Sequence, residues 1–143
     1  MRTIATVGGI GYVPRLPGTA ASVIGAGISW LLSPNPAAQI AGCLAAAALG
    51  FWSAGPTAKA LGEKDPSVVV IDEVAGMMLG LALLPAKGWV YLVGFLLFRF
   101  LDISKPGPIR RLERLPGSVG IMFDDLAAGI LTNLVLRLVI LVR

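Results

Sequence analysis

Five apolar runs, separated by breaks rich in proline, glycine or charge, dominate the sequence. The runs cover residues 19–32, 37–54, 68–84, 88–101 and 119–142. The breaks at 33–36 (SPNP) and 85–88 (PAKG) read as tight turns, so the runs that flank each of them should be antiparallel neighbours. The breaks at 55–67 and 103–118 are longer and polar. No segment alternates polar and apolar residues as a strand does, so the sequence predicts an all-α bundle in a single domain, residues 1–143.

The composition favours a membrane environment for this bundle. Hydrophobic residues make up 56% of the chain and charged residues only 14%, and the mean hydropathy is +0.83. Soluble domains are about 25% charged, so this chain lacks the polar side chains to cover a water-exposed surface. Only the second and fifth runs approach the ~20 residues that a membrane span requires. We therefore predict a multi-pass membrane bundle of five hydrophobic helices, some of them short or oblique.

The basic residues separate onto two sides of this bundle. With the N-terminus in the cytoplasm, one side carries Arg2, Arg15, Lys59, Lys64, Lys105, Arg110, Arg111 and Arg114. The other side carries only Lys87 and Arg143, while Arg99 and Arg137 lie within apolar runs. Cytoplasmic loops are enriched in Lys and Arg, so we predict a cytoplasmic N-terminus and an external C-terminus. The alternative is a soluble bundle whose loops scatter charge by chance. The modest net charge of +4 suits anionic lipid head groups as well as it suits nucleic acid. For a membrane bundle we expect a phospholipid and no nucleic-acid partner.

Five of the eight carboxylates converge on the predicted cytoplasmic side. Asp72 and Glu73 lie about one turn into the third run, Asp102 closes the fourth, and Asp124 and Asp125 lie about one turn into the fifth. Ionisable groups inside a membrane segment are costly and usually functional. Five negative charges also repel one another unless a cation lies among them. The available ligands are carboxylate oxygens and the chain has no histidine, so a hard divalent cation is the expected partner.

Helical spacing ranks these five acids. Asp72 and Asp125 are each followed by a glycine four residues later, which puts each acid on a face where another helix can approach closely. Both are therefore expected to point into the bundle. Glu73 and Asp124 lie about 100° further around their helices and can complete the site or orient it. Asp102 shares a face with an arginine three residues earlier. The alternative is that these acids only form interhelical ion pairs with arginines.

Basic residues adjoin the predicted metal ligands. Lys105, Arg110 and Arg111 follow Asp102 closely. A phosphomonoester needs this combination, with a metal ion on some oxygens and Lys or Arg on the others. The alternative is that the cations only reflect the cytoplasmic enrichment in basic residues, which is the interpretation we favour for Arg114.

A further anion site is predicted at the start of the first apolar helix. Thr19 is expected to cap this helix, with Ser22 at the third helical position. The free N–H groups of the first turn would face the cytoplasmic side, where they could bind an anion. An ordinary helix cap is the alternative.

Several phosphatase chemistries are excluded by what the chain lacks. With no histidine there is neither a histidine nucleophile nor a Ser-His-Asp triad. The single cysteine, Cys43, has leucine rather than arginine six residues later, so a cysteine-phosphatase loop is absent. No Asp-x-Asp-x-Thr run and no Gly-x-x-x-x-Gly-Lys-Ser/Thr loop occurs. What remains is metal-dependent chemistry on an oxyanion, with Mg²⁺ as the expected cofactor.

Four segments resemble the phosphatidylglycerophosphatase A family. They are LPGTAAS (16–22), DPSVVVIDEVAG (65–76), FRFLDISKPGPIR (98–110) and GIMFDDLAAG (120–129). Their order and spacing cover nearly the whole chain. The family usually has phenylalanine where this chain has Leu101. The resemblance implies Mg²⁺-dependent removal of the terminal phosphate from phosphatidylglycerophosphate, which gives phosphatidylglycerol in a bacterial inner membrane, with the active site on the cytoplasmic face.

The residues and the resemblance together define the predicted site. We predict catalytic roles for Asp72, Glu73, Asp125 and Lys105. Metal ligands are expected among Asp72, Glu73, Asp102, Asp124 and Asp125. Substrate contacts are expected from Thr19, Ser22, Arg99, Lys105, Arg110 and Arg111. Water is the expected nucleophile, with a carboxylate as the alternative.

Three other classes of protein remain as alternatives. A head-group phosphotransferase also acts on such lipids with membrane acids and Mg²⁺, but its Asp-Gly-x-x-Ala-Arg signature is absent. A transporter could contain intramembrane acids, although five acids at one interface make a poor transmembrane path. A structural membrane protein would not need the convergence of acids. The sequence leaves a homo-oligomer open.

Overall fold

The computed structural model describes residues 1–143 and contains helices but no strand, which confirms the all-α prediction. The helices are α1 (Arg2–Ala5), α2 (Pro17–Leu32), α3 (Pro36–Leu61), α4 (Ile71–Leu81), α5 (Gly88–Ser104), α6 (Gly107–Leu112) and α7 (Gly117–Val142). A short 3-10 helix, Ile10–Tyr12, follows α1. The five predicted apolar runs correspond to α2, α3, α4, α5 and α7.

The longer breaks contain more helix than the sequence predicted. Helix α3 continues through Pro56 and ends at Leu61, where the left-handed backbone of the capping residue, Gly62, lets its N–H reach the carbonyls of the last turn. The polar 103–118 segment includes α6. Helix α4, in contrast, begins at Ile71 rather than at 68, because the preceding residue, Val70, donates its N–H to the Ala5 carbonyl at 2.9 Å.

The predicted cap at Thr19 is wrong. Helix α2 begins at Pro17 with Leu16 as its N-cap, because proline lacks an N–H and is favoured in the first turn of a helix. Thr19 therefore lies inside the first turn. Ser22 is buried, and its hydroxyl donates to the Gly18 carbonyl at 2.8 Å.

Helix α4 lies at the centre of the bundle and packs against α2, α3, α5 and α7. Most of its residues are buried, including Asp72 in its first turn. Its closest approach is to α7, where Gly76 faces Gly129. A Cβ atom added to Gly76 would lie 2.6 Å from the backbone oxygen of Asp125, so only glycine permits this crossing.

Helices α2, α3, α4, α5 and α7 run alternately in opposite directions. The polar contacts between them lie at the two ends of the bundle. At one end Lys105 reaches Asp124, and the Gly55 N–H donates to the Ser118 hydroxyl. We call this the acidic end. At the opposite end the Gln39 amide lies between the Ser29 hydroxyl and the Leu83 N–H, at 3.0 and 2.9 Å.

The outer surface of the bundle is apolar. Large side chains point outward along α5 and α7, among them Leu92 at 60% exposure, Phe100 at 65% and Leu138 at 63%. Helices α3 and α7 are long and apolar enough to cross a membrane, and α2 is a shorter apolar helix. Exposed apolar surface on this scale, on a helical bundle, is consistent with contact to lipid.

The glycine crossing of α4 and α7 gives a first prediction. Gly129→Ala should lower the thermal unfolding temperature in detergent, because the new Cβ would collide with the Gly76 carbonyl oxygen. Such overpacking costs about 1–3 kcal/mol. Gly27→Ala is the matched control, since a Cβ there would meet nothing within 4 Å and alanine favours helix. Equal unfolding temperatures for the two variants would contradict the crossing.

Candidate active site

Three carboxylates meet where α4 and α7 cross, and we call them the acidic cluster: Asp72, Glu73 and Asp125. One oxygen from each lies within 4.8 Å of the other two. Asp72 is 7% exposed and Asp125 is 2% exposed. The cluster therefore concentrates up to three negative charges in the interior of the protein.

The glycine crossing brings these acids together. Asp72 lies one helical turn before Gly76, and Asp125 lies one turn before Gly129. Because the two glycines are in backbone contact, the residues one turn earlier are close as well. Glu73 joins from the neighbouring position of α4. The prediction that Asp72 and Asp125 point into the bundle is in accord with their burial.

Each acid of the cluster presents a buried oxygen that has no hydrogen-bond partner. These atoms are Asp72 Oδ1, Glu73 Oε2 and Asp125 Oδ2. Burying a single unpaired carboxylate costs much free energy, and three neighbouring carboxylates also repel one another. A positive charge among them would offset both effects. All the donors are oxygens, which is the ligand set that Mg²⁺ and Ca²⁺ prefer. The residues thus fit a hard divalent cation.

The other two predicted metal ligands are engaged with cations. Asp124 Oδ2 accepts a hydrogen bond from Lys105 Nζ at 2.7 Å, and Asp124 Oδ1 accepts one from the Asp125 N–H at 3.0 Å. Asp102 forms an ion pair with Arg99, one turn earlier on α5. The structure therefore places Asp102 and Asp124 beside the acidic cluster, each already neutralised by a basic side chain.

Lys105 connects the cluster with the polar surface. Its Nζ also lies 3.4 Å from Glu113 Oε1. Burial disfavours the charged ammonium, but the hydrogen bond to Asp124 and the nearby negative charges outweigh it, so the pKa of Lys105 is raised above its usual value. The residue has a left-handed backbone (φ 42°) where α5 ends, a conformation uncommon outside glycine.

Gly18, which sequence analysis missed, is the point at which the 16–22 segment touches the site. A Cβ at Gly18 would collide with the Glu73 carboxylate and lie 3.2 Å from Arg99 Nη1. Arg99 also has a buried Nε without a hydrogen-bond partner. The proline–glycine pair that opens α2 was the available signal, because glycine is required where a backbone approaches other groups closely.

Arg110 and Arg111, the remaining basic substrate contacts that the sequence predicted, lie on α6 with exposed side chains. Arg110 is exposed, and its Nη2 reaches the Ser104 carbonyl at 3.5 Å. Arg111 is exposed without an ion pair. Asp65 is a second group that sequence analysis missed. Desolvation by its neighbours raises the pKa of the Asp65 carboxyl and the charge of Lys105 lowers it, so this exposed side chain belongs to the same electrostatic neighbourhood.

The fold and this site define an all-helical, membrane-type bundle with a buried carboxylate cluster flanked by Lys and Arg. A family model described as phosphatidylglycerophosphatase A matches residues 3–140. The chain therefore belongs to the phosphatidylglycerophosphatase A family.

Curated relatives agree with this assignment. The chain is 34% identical over 132 residues to the phosphatidylglycerophosphatase A of Escherichia coli, covering 87% of this chain and 74% of that protein. It is 42% identical over 84 residues to the phosphatidylglycerophosphatase A of Haemophilus influenzae, covering 57% and 52%. A Bacteroides thetaiotaomicron protein named "Putative phosphatidylinositol-3-phosphatase" is 36% identical over 137 residues, covering 89% and 85%. No solved structure matches the chain.

Proposed function

We propose that this protein hydrolyses the terminal phosphomonoester of phosphatidylglycerophosphate and releases phosphatidylglycerol and inorganic phosphate. The observation that carries the proposal is the acidic cluster with its three unpartnered carboxylate oxygens. Two further carboxylates close to it, Asp124 and Asp102, hold Lys105 and Arg99 as ion-pair partners. Family membership and the names of the Escherichia coli and Haemophilus influenzae relatives supply the substrate.

Mg²⁺ is the cofactor that we propose for the acidic cluster. Asp72, Glu73 and Asp125 would hold it, and Asp102 or Asp124 could join if the arginine or lysine partner moved to the substrate. A divalent ion held there would polarise phosphate oxygens and lower the pKa of bound water. Mg²⁺ is favoured over Ca²⁺ because protein sites for phosphate chemistry typically combine one or two carboxylates, water and substrate oxygens around Mg²⁺.

The side chains around the cluster suit an in-line displacement at phosphorus. Lys105 and Arg99 neutralise the phosphate oxygens, and their charges match the negative charge that the monoester carries. A carboxylate of the cluster accepts a proton from the attacking water as its oxygen bonds to phosphorus. The bond between phosphorus and the glycerol oxygen breaks, and that oxygen takes up a proton from solvent. Arg110 and Arg111 lie on the aqueous side, where they can attract the head group.

Phosphate release from the purified protein tests this function. With phosphatidylglycerophosphate in mixed micelles, phosphate release should require Mg²⁺, stop in EDTA and fail to recover with Ca²⁺, because Ca²⁺ does not impose the tight octahedral geometry of Mg²⁺. Full activity in chelator would contradict the metal site. Release of CMP from a CDP-linked lipid would instead identify a phosphotransferase, and no reaction at all would favour a transport or structural role.

The Bacteroides relative motivates a second candidate substrate, phosphatidylinositol 3-phosphate. Both lipids present a phosphomonoester to the same oxygen and cation set, so the cluster alone does not discriminate between them. They differ in the bulk of the alcohol, which is a small glycerol in one and an inositol ring in the other. The two lipids should therefore be compared in one assay by their kcat/KM values, and the preferred lipid is the substrate.

We further propose a multi-pass arrangement in a bacterial inner membrane, with the acidic end facing the cytoplasm. Eight basic residues fall on the acidic side of the five predicted runs and two on the other, which supports this orientation. Substrate would then come from the inner leaflet, with its head group projecting onto the cluster.

Labelling of single cysteines tests this orientation. In a Cys43→Ala background, Lys64→Cys should react with a membrane-impermeant thiol reagent only from the cytoplasmic side. Asn35→Cys and Lys87→Cys, both exposed at the opposite end, should react only from outside. Labelling of positions 35 and 64 from the same side would overturn the five-span arrangement.

A further inference from the structure

A polar cleft lies outside the acidic cluster, and among its lining residues only Arg110 has a part in the chemistry described above. It lies at the acidic end between the α3–α4 loop, α6 and the start of α7, and has a volume of about 300 Å³. Its charged lining residues are Lys64, Asp65, Arg110, Glu113 and Arg114. Five of its nine lining residues are charged, which suits a charged ligand.

The cations of the cleft are free to bind an anion. Lys64, Arg110 and Arg114 form no ion pair, although two carboxylates line the same cleft. One of those carboxylates, Glu113, is drawn toward Lys105 at 3.4 Å. Three cations against two carboxylates, one of them already paired, leave the cleft with a net positive charge. Arginine in particular offers the planar donor fork that matches phosphate oxygens.

The cleft is joined to the acidic cluster through side chains. Glu113 lines the cleft and contacts Lys105, and Lys105 contacts Asp124, which precedes Asp125 of the cluster. Asp65 also lines the cleft, and the charges of Lys105 and Asp102 act on the pKa of its carboxyl in opposite directions. A phosphate group in the cleft would therefore lie beside the proposed reaction centre without sharing its carboxylate ligands.

We propose that this cleft is a second phosphate-binding site that uses Lys64, Arg110 and Arg114. A concave arrangement distinguishes it from a flat basic patch on a membrane surface. Its phosphate has two sources, the inorganic phosphate released by turnover or the head-group phosphate of a phospholipid. Any effect of the cleft on lipid hydrolysis rests on the proposed function, whereas phosphate binding to the cleft does not.

Binding of inorganic phosphate tests the site directly. The full chain in detergent, with EDTA present and no lipid substrate, should bind phosphate as measured by calorimetry. The double variant Lys64→Gln/Arg114→Gln should weaken binding at least about tenfold, since each substitution removes a charge-assisted hydrogen bond. Lys87→Gln/Arg143→Gln makes the same charge change at the opposite end and should leave phosphate binding unaltered.

Kinetics then identify the source of the phosphate. If the cleft retains released phosphate, the Lys64→Gln/Arg114→Gln variant should resist inhibition by added phosphate while its KM for lipid stays unchanged. If the cleft holds the head group, KM should rise. Either result supports the site. Phosphate binding that is absent, that is equal in wild type and variant, or that disappears in Asp125→Asn instead would overturn it. Absence of lipid hydrolysis would refute the proposed function and leave the binding result standing.

Discussion

Asp125→Asn should reduce kcat for phosphate release by at least about a thousandfold. A metal ion bound to a phosphoryl group stabilises the charge of the transition state by several kcal/mol, and each 1.4 kcal/mol changes the rate by about a factor of ten. The substitution is nearly isosteric and removes a charge from a buried cluster of like charges. Asparagine can also donate its amide to the unpartnered oxygens of Asp72 or Glu73. In chelator the variant should therefore be at least as stable as the wild type, because repulsion within the cluster falls.

Thermal unfolding with and without Mg²⁺ separates the two effects. Wild type should gain stability on addition of Mg²⁺ because the ion binds the folded state, and Asp125→Asn should not. Glu63→Gln makes the same charge change at an exposed loop position and should retain both activity and the response to Mg²⁺. An Asp125→Asn variant with near-normal turnover would remove the acidic cluster from the proposed chemistry.

The helices and the meeting of acids followed from local patterns in the sequence. Apolar runs bounded by SPNP and PAKG predicted five antiparallel helices, and α2, α3, α4, α5 and α7 correspond to them. The i+4 spacing from Asp72 to Gly76 and from Asp125 to Gly129 indicated the face on which each acid lies. Both signals are local, since each depends only on residues within one helix.

The sequence could not predict in the same way which of the five acids form the acidic cluster and which pair with a basic side chain. It depends on which cation reaches each carboxylate, and that is set by packing between helices. Asp124 is paired with Lys105 only because α5 ends in a left-handed turn beside α7. The contact of Gly18 with Glu73 likewise joins α2 to α4 across the bundle. Residue spacing within one segment does not report on such contacts.

Lys105→Met should both destabilise the protein and impair catalysis, because Lys105 pairs with Asp124 in the structure and contacts the phosphate in our proposal. Asp124 is 4% exposed at its side chain and would lose its cation. Removing one partner of a buried ion pair lowers the free energy of unfolding by about 3–5 kcal/mol. The lower end applies here because Lys105 is 20% exposed. Loss of a positive charge from the phosphate should lower kcat by about 10²–10³-fold.

The double variant Lys105→Met/Asp124→Asn separates these two roles. Asparagine at 124 carries no charge to strand, and its side-chain oxygen can still accept the Asp125 N–H. Stability should therefore return to within about 1 kcal/mol of wild type, as is typical when both partners of a buried pair are replaced. Turnover should stay as low as in Lys105→Met, because position 105 still supplies no cation to the phosphate. A double variant with restored turnover would mean that Lys105 serves only to neutralise Asp124, and the phosphate would then depend on Arg99 alone.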